Sequence, residues 1–486
     1  MAHPGHPDTV ELQQLPAPNP TSEPARDDAD KTSTSQASQI PSSAPEDAVV
    51  AVEKWNSTRI NICRLAATFW AFLVMGGNDA AYGAIIPYLE VHYNLNYTIV
   101  SLVFFSPLGG YAAAALLNNW IHSHFGQRGV AVVGPVCHLA AYAGIACHPP
   151  YPALVVFFLV AGFANGVEDA AWNAWIGQLA NPNELLGLLH GFYGVGAVLA
   201  PLLATSLITK AGWGWWGFYY LMIGGAAIEL GTSAASFWGA TGHRFRSQSA
   251  SSSDSGGLLK EALRSRVSWV AAVFLLGYVG VEVALGGWIV VFMTRERDGA
   301  AFDSGMVATG FWIGITAGRV VLGFVTPRIG ERLAVSLYVP AAIGFQLLFW
   351  LVPHFAVSAA AVALEGFFLG PLFPAVVVAT TRLLPARLHV SAIGFAAALG
   401  GSGAAIFPFA VGVLAQAKGV RVLQPVVVAL LAALLSVWAL MPRLKKEKEE
   451  GDAEEGAASG VEAWRRSVSS CVARSRVACA RLLNVR

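Results

Sequence analysis

Seven charged residues interrupt stretches otherwise built of hydrocarbon: Asp79, Glu168, Asp169, Glu229, Glu282, Arg319 and Glu365. In an apolar medium each is costly unless it faces water, a partner or a proton. Carboxyl groups so placed are suited to exchanging protons and to holding a polar solute. Asp79 ends the run Gly76-Gly77-Asn78-Asp79, four residues before Gly83 and eight before Pro87. On a helix that spacing puts the carboxylate, a glycine that bares backbone and a kink-prone proline on one face. Asn78 beside it adds an amide. The densest cluster is Asn165, Glu168, Asp169 and Asn173. Asp169 and Asn173 share a helical face, while Glu168 points about 100° away with Asn165 and Trp172. Two adjacent carboxyls in a low dielectric resist ionising together, which suits a proton carrier.

Asp79, Asp169, Glu168 and Glu282 are therefore the proton-coupling candidates. Asn78, Asn165, Asn173, His190, Tyr193, Trp288 and Glu365 are the solute-binding candidates. Trp288 follows closely on Glu282, and both Trp288 and Tyr193 offer a ring for stacking. Arg319, near the end of its apolar stretch, is expected to snorkel toward the surface. Glu229 and His138 read as helix-to-helix polar contacts. No nucleophile, base and orienter converge, and no metal-ligand spacing stands out, so neither catalysis nor a cofactor is expected. A Gly-x-x-x-x-Gly-Lys-Ser/Thr run is missing, which argues against direct use of ATP.

The elements that carry these residues follow from composition. Apolar residues make up 55% of the chain and charged residues 13%, about half the charged share of soluble domains. Continuous apolar stretches near 62–87, 99–118, 129–147, 152–179, 186–209, 213–238, 268–293, 305–327, 333–352, 357–381, 389–416 and 422–441 each approach the roughly 20 residues that cross a bilayer core. They predict an all-α membrane protein of twelve transmembrane helices, since barrel strands would alternate instead. The chain also repeats itself. Gly77-x-Asp79-x-Ala81-x-Gly83 returns as Gly280-x-Glu282-x-Ala284-x-Gly286, Gly126-Gln-Arg128 as Gly330-Glu-Arg332, Gly162-Phe163-x-x-Gly166 as Gly366-Phe367-x-x-Gly370, and Gly191-Phe192 as Gly394-Phe395. Four ordered matches predict two pseudo-symmetric six-helix halves, 59–239 and 268–441, with a site at their interface reached from either side by rocking. Gly191, Gly194 and Gly196 are expected to let the fifth helix approach a neighbour.

Basic residues flanking the stretches number sixteen on the side of the chain ends and five opposite, which predicts cytosolic termini. Residues 1–58 read as a disordered cytosolic tail without a signal peptide and 240–267 as a cytosolic linker with a short helical stretch, Leu258 to Arg266. Residues 442–486 read as a cytosolic tail that can form a basic amphipathic surface helix. The basic face is expected to attract anionic lipid headgroups. The five cysteines, odd in number, form no disulfide framework.

The run Gly162-Phe163-Ala164-Asn165-Gly166-Val167-Glu168-Asp169-Ala170-Ala171-Trp172-Asn173, with Gly191-Phe192-Tyr193-Gly194-Val195-Gly196, resembles the fucose permease branch of the major facilitator superfamily, closest to its fungal bypass-of-stop-codon members. The likeness covers roughly 60–441. It implies the major facilitator fold and assigns the family's fourth-helix acid and amide to Asp169 and Asn173 and its first-helix acid to Asp79. The superfamily's loop signature Gly-x-x-x-Asp-Arg-x-Gly-Arg-Arg is degraded here to Asn119-x-x-x-Ser123-His124-x-Gly126-Gln127-Arg128, and its echo to Gly323-x-x-x-Pro327-Arg328-x-Gly330-Glu331-Arg332. Both lack the Asp, so Arg128, Arg328 and Arg332 serve first as orientation determinants and second as gate residues.

The expectation is a monomeric secondary transporter of a small polar solute, proton-coupled and working by alternating access in the plasma membrane or an endomembrane. A monosaccharide is the substrate class the resemblance implies, and no nucleic-acid partner is expected. The alternative is a non-transporting nutrient sensor on the same fold.

Overall fold

The computed structural model describes residues 53–243 and 255–442, which belong to one compact unit. The expected N-terminal tail up to residue 52, the Ser-rich part of the linker and the amphipathic tail helix lie outside the described residues. Among the described residues eleven helices are long and apolar enough to cross a membrane. In order they are Arg59–Tyr93, Tyr97–Phe125, Gln127–Ala146, Tyr151–Gly177, Glu184–Thr209, Arg266–Glu296, Ala301–Ile329, Glu331–Leu351, Phe355–Leu383, Ser391–Lys418 and Val420–Ala439. Gly217–Phe237, 21 residues with Glu229 at its centre, packs between them as the sixth of twelve. The short helix foreseen in the linker is Ser255–Arg264, tied to the second half by an ion pair from Arg387 to Glu261 at 2.6 Å.

Helix ends follow local chemistry. Thr58, Asn96 and Ser265 accept from the amides of Asn61, Ile99 and Val267 and cap their helices. Gly126 and Gly330, equivalent in the two repeats, both turn the chain with positive φ, 72° and 83°. A side chain there would be strained, which accounts for that echo. The tenth span breaks at Gly370-Pro371 into Phe355–Leu369 and Leu372–Leu383, because Pro371 has no amide hydrogen to continue the ladder.

Repeated glycines mark helix crossings. A β-carbon on Gly110 would fall 2.1 Å from Leu159 O, and one on Gly162 2.5 Å from Pro107 O, so the second and fourth spans touch backbone to backbone. The eighth and tenth do the same through Gly314 and Gly318, which meet the Ala363 and Phe367 carbonyl oxygens, and Gly366 and Gly370, which meet those of Phe311 and Ile315. Close approach of this kind holds helices together where lipid removes the hydrophobic drive.

The halves are sealed together on the side away from the chain ends. Arg295 pairs with Glu90 at 3.4 Å, Gln416 accepts from the Tyr97 amide at 2.9 Å, and Lys210 Nζ sits 4.3 Å from the Phe302 ring centroid. Ser101 packs on Gly412 and Thr205 on Gly305 at the same end. On the terminal side the described contacts stay within one half. Arg128 N–H donates to Ala240 O and its guanidinium covers the Trp238 ring, Arg332 Nη1 donates to Met441 O, and Arg382 pairs with buried Glu331 at 2.7 Å. Arg328 is exposed and, among the described residues, bonds the carbonyl of Phe324 in its own helix.

Candidate functional site

At mid-depth the interface of the halves carries two unlike electrostatic centres on repeat-equivalent positions. In the first half Asp79, partly exposed, accepts three hydrogen bonds. Asn78 Nδ2 donates to Oδ1 at 3.0 Å, Asn165 Nδ2 to Oδ1 at 2.9 Å, and Tyr193 OH to Oδ2 at 3.0 Å. Three donors around one carboxyl are the arrangement that suits its anion. Asn78 is itself buried and also donates to Tyr82 OH at 2.8 Å. In the second half Glu282 pairs with Arg319 Nη2 at 2.8 Å, their side chains 7% and 20% exposed. Arg319 therefore does not snorkel, because a buried carboxylate one helix away holds it more strongly than interfacial water would. Tyr193 has both Asp79 and the Glu282–Arg319 pair among its electrostatic neighbours and so stands between the centres. Its helix is pressed against the eighth, where a β-carbon on Gly194 would lie 2.8 Å from Thr316 Oγ1.

The fourth span splits as its helical spacing requires. Asp169 and Asn173 are partly exposed and bonded to each other, Asn173 Nδ2 donating to Asp169 Oδ1 at 2.8 Å. Asn165 and Glu168 are fully buried on the other face. There Asn165 Oδ1 meets His138 Nε2 at 2.8 Å, and His138 Nδ1 meets Glu229 Oε2 at 3.1 Å. His138 and Glu229 are thus helix-to-helix contacts, as expected, and also members of a continuous chain of hydrogen bonds from the sixth span to Asp79. The sequence pattern gave no sign of that chain, since each link joins residues 27 to 91 positions apart. Glu168 joins the same group, and Gly134 makes room for it: a β-carbon there would fall 2.2 Å from Glu168 Oε1. One donor atom from each of His138, Glu168 and Glu229 lies within 4.8 Å of the others. His138, however, uses both ring nitrogens on protein partners, leaving carboxylate oxygens alone, a set that protons satisfy.

Other candidates lie elsewhere. His190 is partly exposed between the rings of Phe72 and Phe373, at 5.5 and 6.4 Å, and has Arg319 as its charged neighbour. Trp288 has no exposed surface; its Nε1 donates to Pro408 O at 2.9 Å and its ring packs on Gly412, so it seals the far side instead of facing a solute. Glu365 is also fully buried, and with the Gln346 amide nitrogen turned to it accepts at 2.7 and 3.2 Å, making it a contact among the ninth, tenth and twelfth spans. Of the three fifth-helix glycines expected to pack, Gly194 and Gly196 do, the latter's β-carbon lying 2.0 Å from Leu73 O, whereas Gly191 meets nothing within 4 Å.

A family model described as the Major Facilitator Superfamily matches residues 68–361 and 283–474. Bypass of stop codon protein 6 of Saccharomyces cerevisiae is 30% identical over 413 residues, covering 78% of this chain and 82% of that protein. Two solved structures share the fold at 14% identity, each covering 78% of this chain and 98% of its own. They are the fucose:proton symporter of E. coli, with a TM-score of 0.55, and a D-xylose-proton symporter, at 0.61. The likeness seen in the fourth and fifth spans thus extends over the whole helical region.

Proposed function

This chain belongs to the major facilitator superfamily of multi-pass membrane transporters, and from that premise we propose that it moves a small polar solute with protons by alternating access. One observation carries the reading. Asp79 is a partly exposed carboxyl at mid-depth, held by three neutral donors and no cation, and it faces an ion pair across the interface of the halves. A carboxyl so held can exist in either protonation state, because the Tyr193 hydroxyl can turn from donor to acceptor when Oδ2 takes a proton. Glu282 is engaged by Arg319 whereas Asp79 has no such partner, so we assign proton exchange to the first half. Asp169, whose carboxyl accepts from Asn173, is a second proton candidate on the same helix as Asn165.

The solute class we favour is a neutral polyhydroxylated one, a monosaccharide. Tyr193, His190, Asn173 and Arg319 offer mixed donors and acceptors with no isolated charge to recognise an ion. The structural relatives named for fucose and xylose symport support the same class. Both termini lie in the cytosol in this reading, so the sealed side faces outward and the described conformer is the inward-facing one. No observation favours the sensor alternative.

Purified protein in liposomes, offered radiolabelled monosaccharides with and without an imposed inward proton gradient, tests this. Saturable accumulation that collapses with a protonophore is expected. Saturable binding without flux would overturn the reading.

A further inference from the structure

The chain of hydrogen bonds that begins at Asp79 ends in a group without exposed surface: His138, Glu168 and Glu229, all fully buried. Its hydrogens can be assigned by elimination. Asn165 donates from Nδ2 to Asp79, so its Oδ1 is turned to His138 and must accept from Nε2. With a hydrogen on Nε2, the contact between His138 Nδ1 and Glu229 Oε2 needs another, on the ring or on the carboxyl, since two bare lone pairs repel. Among the described residues the Trp172 indole is the one neighbouring donor for Glu168, and Oε1 of Glu229 has none within ordinary hydrogen-bond geometry. An unpaired buried carboxylate is costly, and a hydrogen on Glu168 directed at Glu229 satisfies both residues. The group is therefore built to contain protons.

We propose that the buried triad of His138, Glu168 and Glu229 holds a proton that keeps His138 Nε2 a donor, fixes the Asn165 amide with its N–H toward Asp79, and so favours the ionised form of Asp79. This rests on Asp79 being the proton-exchanging carboxyl and names its positioning residues. Without His138 the amide is left with Tyr111, whose hydroxyl can either donate or accept, so it can turn and offer Oδ1 to Asp79, which only the protonated acid can satisfy. An amide does not pass a proton along, so the triad acts on Asp79 by orientation and is not a route for its proton. The other groups around Asp79 stay in place when the triad is altered: Asn78 and Tyr82 on its own helix, Tyr111 on the second, Asp169 on the fourth, Tyr193 on the fifth, and Glu282 with Arg319 beyond Tyr193. Around the triad itself Tyr142 stacks on His138 at 5.3 Å, and Cys137 neighbours Glu168.

Infrared difference spectra of the full-length protein in lipid vesicles, recorded across pH, read carboxyl protonation directly. The Asp79 band is the one removed by Asp79→Asn and grows as pH falls. The Glu168 band is removed by Glu168→Gln and is present throughout roughly pH 5 to 9 if the acid stays neutral. In His138→Phe the midpoint of the Asp79 band should rise by about one pH unit, the size of one hydrogen bond to a charged group. Glu229→Gln should leave it near the parent, because the new amide still donates to Nδ1 and keeps hydrogen on Nε2. Should His138→Phe not fold, His138→Leu, which also removes the Nε2 donor to Asn165, must produce the same rise. An unmoved midpoint, or stoichiometric bound metal in the purified protein, would overturn the proposal. The spectra need no transport: failure to accumulate solute with these shifts intact removes the transport reading alone, and accumulation with an unmoved midpoint removes the triad alone.

Discussion

Gly83 and Gly286 occupy the same place in the two repeats and meet each other, a β-carbon on Gly83 falling 2.0 Å from the Gly286 carbonyl oxygen. The first and seventh helices thus cross backbone to backbone at the interface of the halves, just beyond Asp79 and Glu282. In this conformation the contact forms part of the far-side seal. Gly83→Val should disfavour that state, since overpacking of this kind costs about 1–3 kcal/mol. Spin labels at Val91 and Lys418, on exposed far-side ends of opposite halves, should separate by several ångströms in a background cleared of native cysteines. An unchanged distance with normal folding would show that the crossing does not close the far side.

The fifth helix offers a contrast. Gly196 leaves no room beside Leu73 O, whereas Gly191 has nothing within 4 Å. Gly196→Leu should abolish folded protein in detergent, and Gly191→Leu should be recovered at about the parent yield, surface changes usually staying within about 0.5 kcal/mol. Size-exclusion profiles of the two decide it; equal loss in both would contradict the geometry.

Asp79→Asn keeps hydrogen bonds and removes titration. It should exchange solute across the membrane at a rate within about threefold of the parent, yet lose at least about tenfold in accumulation against a gradient, a loss of about 1.4 kcal/mol of coupling. Asp169→Asn should do the same if the two carboxyls work together, with non-additive effects in the double variant. Gradient-driven accumulation by Asp169→Asn at the parent's level would leave Asp169 a partner of Asn173 alone. Glu168→Gln, on the other face, should be the mildest of the three in exchange.

Arg319→Gln strands Glu282 in a site where that carboxylate is 7% exposed on its side chain. Breaking one partner of a buried pair costs about 3–5 kcal/mol, whereas replacing both is far less damaging. Thermal unfolding should therefore rank Arg319→Gln well below the double variant Arg319→Gln with Glu282→Gln. Additive losses would show that the pair is not coupled.

The sequence by itself determined the helices, their duplication and the family, because these depend on local properties: the apolar length of a span, the glycine that a positive φ or a close crossing requires, and the spacing that divides the faces of a helix. The placement of Glu168 with Asn165, opposite Asp169 with Asn173, was legible for that reason. Tertiary structure alone decided which polar groups meet. Arg319 and Glu282 are 37 residues apart and His138 and Glu229 are 91 apart, and helical spacing within one span says nothing about the partner that packing brings from another. The same limit hid the burial of Trp288 and Glu365 and the empty surroundings of Gly191. A residue's type shows that it needs a partner, and only the packed bundle shows whether that partner is a neighbouring helix or the open interface.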